Sequence, residues 1–275
     1  MYILSTFLYF IVYRIVRYRR RIVCENLERS FPEKEAAERK EIERRYYHHL
    51  CDLLVEGIRN LYASRASILR HYRIENREVV DSYYKQGKSV ILLSQHYNNW
   101  EYMVSSLNMQ FYHHGVGVGK PLNDKAMASY ITRRRTRYGT EVVDQTNVRD
   151  VMSYYEQHQV PCCYMMLSDQ SPSNVHKSYW TMFLHQETPF LYGAEYFARK
   201  YNYPVLYYIV KKERRFHYTV HFEVMSENPS TTKQYDIERD YIGRLENLLY
   251  EQPEYWLWSH KRWKRKRLAE IPLHS

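Results

Sequence analysis

The sequence predicts an α/β fold: a central, mostly parallel sheet flanked by helices, preceded by an N-terminal helical region that associates with membranes. Three observations carry this. From Ser89 onward, short apolar runs alternate with helical patterns, the texture of strand and helix units laid into one sheet. Before that point Ile42, Tyr46, Leu50, Leu53, Leu54, Ile58 and Leu61 recur at helical spacing and define a long amphipathic helical region. Tyr2 to Val16 is nearly all apolar or aromatic and runs straight into Arg17, Arg19, Arg20 and Arg21.

Taken in order, the N-terminal stretch is short of the roughly 20 apolar residues that a helical membrane span needs. Its charge follows the apolar run and no small-residue cleavage site is present, so it does not read as a secretory signal. Arginines on its C-terminal side leave the rest of the chain on the cytoplasmic side of a membrane; the alternative is an apolar helix packed on the domain. Ser30-Phe31-Pro32-Glu33 has the S-x-x-E form of a capping box with proline in the first turn, and is expected to open the long helix. Then come a strand at Val90 to Leu93, a helix to about Met109 and a strand at Gly115 to Val118. A helix closing at Gly139, a short strand at Val142 and Val143, a helix near Asn147 to His158 and an apolar strand from Cys162 to Leu167 follow. Thr188-Pro189 is expected to start another helix, before late strands at Val205 to Val210 and Tyr218 to Val224. No repeat or linker interrupts the chain, so residues 1–275 are expected to form a single domain, with 1–21 as an apolar anchor and basic cluster.

Composition narrows the function classes. A formal charge of +10 and 30 tyrosines suit an anionic, amphiphilic surface. Nucleic acid would satisfy the charge equally, and a basic nucleic-acid-binding protein is the non-enzyme alternative. Cys24, Cys51, Cys162 and Cys163 lack C-x-x-C spacing, and His48-His49 and His113-His114 are adjacent rather than four apart on a helix. Neither pattern suits a zinc site, and no metal or cofactor is expected.

The residues that carry chemistry follow the first of the apolar strands: Ser94-Gln95-His96-Tyr97-Asn98-Asn99-Trp100-Glu101. Ligands of open α/β sheets sit beyond the carboxyl ends of strands, where this histidine falls. In one continuous helix His96 and Glu101 would stand about 140° apart and could not meet. If the helix starts after the histidine, Glu101 lies in its first turn and can reach back to hold the imidazole as a general base. No G-x-S-x-G elbow is present, so a serine nucleophile forming a covalent intermediate is not indicated. Arg133, Arg134, Arg135 and Arg137 crowd the end of a helix, where they serve either its C-terminus or a phosphate. Asp169, just after an apolar strand, is either a turn residue or a partner of those arginines or of the acceptor. The run from Trp256 to Arg267 interleaves aromatics with cations and reads as a solvated basic tail, a membrane-interface segment or a surface for an acidic partner.

Several blocks occur in a familiar order: Asn26-Leu27 with Ser30-Phe31-Pro32, Gln95 to Glu101, Arg135-Thr136-Arg137-Tyr138-Gly139, Asp169-Gln170, Thr188-Pro189-Phe190 with the helix from Gly193 to Lys200, and Tyr255 to Lys264. In these the chain resembles the bacterial lipid A biosynthesis acyltransferase family, within the H-x-x-x-x-D/E group of lysophospholipid acyltransferase-like enzymes. It departs from the family pattern at Asn98, where glycine is usual, at Gln186-Glu187, where small residues are frequent, and in its shorter hydrophobic N-terminus. The resemblance implies transfer of a fatty acyl group from an acyl carrier protein or CoA thioester to a hydroxyl of a lipid A precursor, at the cytoplasmic face of the inner membrane. It implies His96 and Glu101 as the catalytic pair, with Arg135, Arg137 and Asp169 toward the acceptor, and no nucleic acid as partner. A lysophospholipid or an acylated amino-acid lipid is the alternative acceptor.

Overall fold

The structure, a computed structural model, describes residues 1–119 and 125–274. The chain opens with α1 (Tyr2–Tyr9), which continues through a π-helical stretch (Phe10–Ile15), and then forms α2 (Arg20–Ser30), α3 (Ala36–Asn60) and α4 (Arg65–His71). There follow β1 (Tyr72–Ile74), α5 (Arg77–Lys85), β2 (Val90–Ser94), α6 (Trp100–Gln110), β3 (His114–Gly119), α7 (Lys125–Arg135), β4 (Glu141–Asp144), α8 (Val148–Gln157) and β5 (Cys162–Leu167). The chain closes with β6 (Ser178–Phe183), β7 (Gln186–Leu191), α9 (Gly193–Tyr201), β8 (Val205–Arg214), β9 (His217–Ser226) and α10 (Asp236–Glu251).

Seven strands form one sheet in the order β1-β9-β8-β2-β5-β3-β4. Every neighbouring pair in it is parallel except the β8–β9 hairpin. β6 and β7 form a separate antiparallel pair. The mostly parallel sheet with helices around it is the fold the sequence predicts. Its central strands read as unbroken apolar runs because helices cover both faces. Ile91, Leu93, Tyr164 and Tyr207 pack in the cluster that holds Tyr241 and Leu245 of α10 and Phe197 of α9. Val90, Leu92, Met165 and Tyr208 pack on the other side with Met103 and Leu107 of α6 and Val80 of α5. Gly115 is required where β3 crosses α6, since a Cβ there would run into Leu107 and Asn108.

Two expected helix starts are corrected. Ser30 ends α2 rather than opening α3; Phe31, ahead of Pro32, is pushed out of the helical region (φ −135°, ψ 63°). The next helix is capped instead at Glu35, whose N–H donates to Glu38 at 2.9 Å. Thr188-Pro189 lies inside β7, not at a helix start. In a two-stranded pair each strand has an open edge, so the missing proline N–H costs no ladder bond. The helix begins at Gly193.

α1 is fastened to the body of the fold by a polar cluster. Ser5 donates to the buried carboxylate of Asp52 at 2.6 Å, and Arg215 and Lys212 bind the same carboxylate at 2.7 and 3.2 Å. Farther along, Tyr9 stacks on His48 and Tyr13 lies against Tyr47. The side of this segment turned away from the fold is apolar, with Ile3, Leu4, Phe7, Phe10, Ile15 and Val16 all exposed. Among the described residues no helix is long and apolar enough to cross a membrane.

Candidate active site

β2 is buried along its whole length and delivers the chain to a turn at its carboxyl end. Asn98 takes up a left-handed conformation there (φ 51°) and is pinned by its side-chain amide, which donates to Val210 O at 2.7 Å, and by its N–H, which donates to Tyr255 O at 3.0 Å. Asparagine is among the few residues that tolerate this backbone region, which accounts for its standing where glycine is otherwise usual. Asn99 then caps α6, its side-chain oxygen accepting from the Tyr102 N–H at 3.1 Å. The helix therefore starts after His96, with Glu101 in its first turn.

The group that holds His96 is nevertheless Asp169. Its Oδ1 accepts from His96 Nδ1 at 2.6 Å, and its Oδ2 accepts from the His96 backbone N–H at 2.9 Å and from the Trp256 indole N–H at 2.7 Å. The sheet explains this pairing. β2 and β5 are parallel neighbours with Ser94 opposite Leu167 as the last residues of each strand, so positions 96 and 169 stand equally far beyond adjacent strand ends. Asp169 is buried, which pushes its carboxyl up, but His96 and the indole N–H more than offset this and hold it below the ordinary carboxylate value. An ionised acceptor places the imidazole proton on Nδ1 and leaves a lone pair on Nε2. Gln170 donates its amide to that Nε2 at 3.0 Å, and Trp100 meets the ring edge-on at 5.0 Å between centroids.

Glu101 makes no hydrogen bond to His96. Its carboxylate takes a two-pronged bond from Arg135, Nε to Oε2 at 2.8 Å and Nη2 to Oε1 at 2.6 Å, which corrects the expected His96–Glu101 pair. A guanidinium fork matches a carboxylate geometrically, and Glu101 has that partner on the facing helix. Arg137 is engaged within the fold: its Nη2 donates to Asn60 O and Ala63 O, each at 2.7 Å, and its guanidinium lies 4.4 Å from the centre of the Tyr138 ring. Together with Arg134, which donates to Leu61 O, it closes the carboxyl end of α3, where backbone carbonyls lack helical partners. Of the four arginines, Arg133 is the exposed one.

Three further residues reach the site. Trp256, Leu257 and His260 line the small cleft at His96 together with Asp169 and Gln170. His260 Nε2 accepts from the Ser171 N–H at 3.1 Å, and burial holds its pKa down to about 4, so the ring is neutral near pH 7. The closing segment is thus built into the fold, not a solvated tail: Trp256, Trp258 and Arg262 are buried, and Arg262 donates to Pro189 O at 2.6 Å. Lys261, Lys264, Arg265 and Lys266 are exposed. The sequence signal for Trp256 and His260 was their place in the Tyr255 to Lys264 block, which marks the segment but not which side chains turn inward.

Chemically, the arrangement can take a proton from a hydroxyl brought to His96 Nε2, with Asp169 stabilising the imidazolium. The structure is thus an α/β sheet with a histidine–carboxylate pair beyond its strand ends. The chain belongs to the bacterial lipid A biosynthesis acyltransferase family, whose sequence model matches residues 3–265. That span includes every block from Asn26 to Lys264 that carries the resemblance. A comparison with curated proteins gives no match.

Proposed function

We propose that the protein transfers a fatty acyl group from a thioester, carried by an acyl carrier protein or CoA, to a hydroxyl of a lipid A precursor. The observation that carries this reading is His96, a lining residue of the cleft, with Nδ1 on the buried Asp169 and Nε2 on the Gln170 amide. In the reaction the acceptor hydroxyl displaces the Gln170 amide from Nε2 and gives its proton there as its oxygen bonds to the thioester carbonyl carbon. The tetrahedral intermediate then collapses, the C–S bond breaks, and the departing thiolate takes the proton from the imidazolium. Arg135 uses Nε and Nη2 on Glu101, and we assign its remaining Nη1 to an acceptor phosphate, with Glu101 fixing the guanidinium plane. Mass spectrometry of lipids from cells lacking the protein tests the assignment. Lipid A short of one acyl chain, restored by the wild-type gene, is expected. Unchanged lipid A with a changed lysophospholipid or acylated amino-acid lipid would move the activity to that acceptor.

We further propose that the protein acts at the cytoplasmic face of the inner membrane, with its N-terminal segment lying in the interface. The support is the inverted polarity of that segment, whose polar Ser5 faces the fold while Ile3 is 88% and Phe7 61% exposed. Exposed Arg14, Arg17, Arg19 and Arg21 follow it, and each cation near an anionic surface contributes about 1 kcal/mol. Replacing Phe7 and Phe10 by serine leaves the Ser5 cluster intact. It is expected to weaken sedimentation with vesicles containing anionic lipid, the residual binding disappearing in high salt. Unchanged binding in high salt would place the attachment elsewhere.

A further inference from the structure

We propose that Trp256 is a positioning residue, which acts through Asp169 to fix the proton of His96 on Nδ1; the proposal rests on the His96–Asp169 pair described above. Without the indole, Asp169 would be held only by the backbone N–H and the ring of His96, the residue whose ring it must orient. In Asp169 the indole N–H and the His96 backbone N–H converge on Oδ2, at 2.7 and 2.9 Å, which leaves Oδ1 aimed at Nδ1. An outer hydrogen bond of this kind orients the group that contacts the substrate.

The indole is itself held by the turn that carries the base. Trp256 forms an antiparallel bridge with Tyr97, the Asn98 N–H donates to Tyr255 O, and Tyr97 donates its hydroxyl to Gln252 O. Its ring packs edge-on against Trp258, 4.8 Å between centroids, and is almost wholly buried. His260, four residues on, grips the Ser171 N–H on the far side of Asp169. The segment 256–260 therefore clamps the histidine turn and the aspartate loop to each other. A tryptophan present only to fill the core needs some acceptor for its N–H, but not the one carboxylate that faces the base.

The test reads the tautomer directly, independently of substrate, from ¹⁵N-edited imidazole spectra of the full chain in detergent micelles. In the wild type His96 is expected as a single Nδ1-protonated form. Trp256→Phe, and replacement of Trp256 by its sulfur isostere benzothienylalanine, are expected to lose that single form and give a mixture of tautomers. The isostere keeps the shape of the ring and removes only the N–H, so it decides the matter if Trp256→Phe does not fold. Asp169→Asn is the reference. If it too leaves a single Nδ1-protonated ring, the His96–Asp169 pair is not what sets the tautomer. If it disturbs the ring while the isostere does not, Trp256 is packing alone and the proposal is overturned.

Discussion

His96→Ala is expected to lower turnover by roughly a hundredfold or more while the protein remains folded, the scale on which a positioned general base contributes. The fold should survive because the imidazole sits in a turn beyond the sheet, and its loss leaves Asp169 with two of its three donors, the residue-96 backbone N–H and the Trp256 indole. Steady-state turnover with the lipid acceptor, alongside a thermal melt, separates the two effects. A folded variant with full turnover would remove His96 from the chemistry. A loss in turnover matched by a loss of folded protein would make its role structural.

Much of this site is legible in the sequence because strand ends are. The unbroken apolar runs at Val90 and Cys162 mark buried parallel strands, and His96 and Asp169 each follow one of them. What the sequence does not show is that these strands are neighbours. α6, β3, α7, β4 and α8 lie between β2 and β5 along the chain, yet β5 sits beside β2 in the sheet. The H-x-x-x-x-E spacing offers a local partner for the histidine, whereas the structure supplies one 73 positions away and gives the local carboxylate to Arg135. Short-range spacing misleads here because two loops from adjacent strands meet more closely than a turn and its own helix.

The missed elements have physical reasons of their own. β1 has three residues, too few to show a period. Pro189 carries the same local signal in an edge strand as at a helix start. α10 differs: Ile237, Tyr241, Ile242, Leu245 and Leu249 keep a plain helical period and are all buried, so its absence from the predicted order has no structural cause. The four arginines illustrate the converse. Their density suggests a phosphate site, but two of them satisfy carbonyls at the end of α3, a demand that exists only once α3 and α7 are packed together.

Asp169→Asn and Glu101→Gln are expected to impair the enzyme in distinguishable ways. Asp169 accepts on both oxygens, two donors on Oδ2 and the Nδ1 proton on Oδ1. An asparagine has one acceptor atom, and the two N–H groups already converging on one side recruit it. Its NH₂ then faces Nδ1, which must give up its proton; the proton moves to Nε2 and the base is lost. The same exchange in the Ser–His–Asp template costs about 10⁴ in turnover through the wrong tautomer, and a loss of that order is expected here. Glu101→Gln leaves His96 and Asp169 untouched but weakens the grip on Arg135, so its loss should appear without a change in the His96 tautomer. If Glu101 acts through Arg135, the double variant with Arg135→Gln should be little worse than the more damaged single one, because both remove the same interaction. Additive losses would show that Glu101 and Arg135 act separately, and a tautomer change in Glu101→Gln would return Glu101 to His96 as its partner.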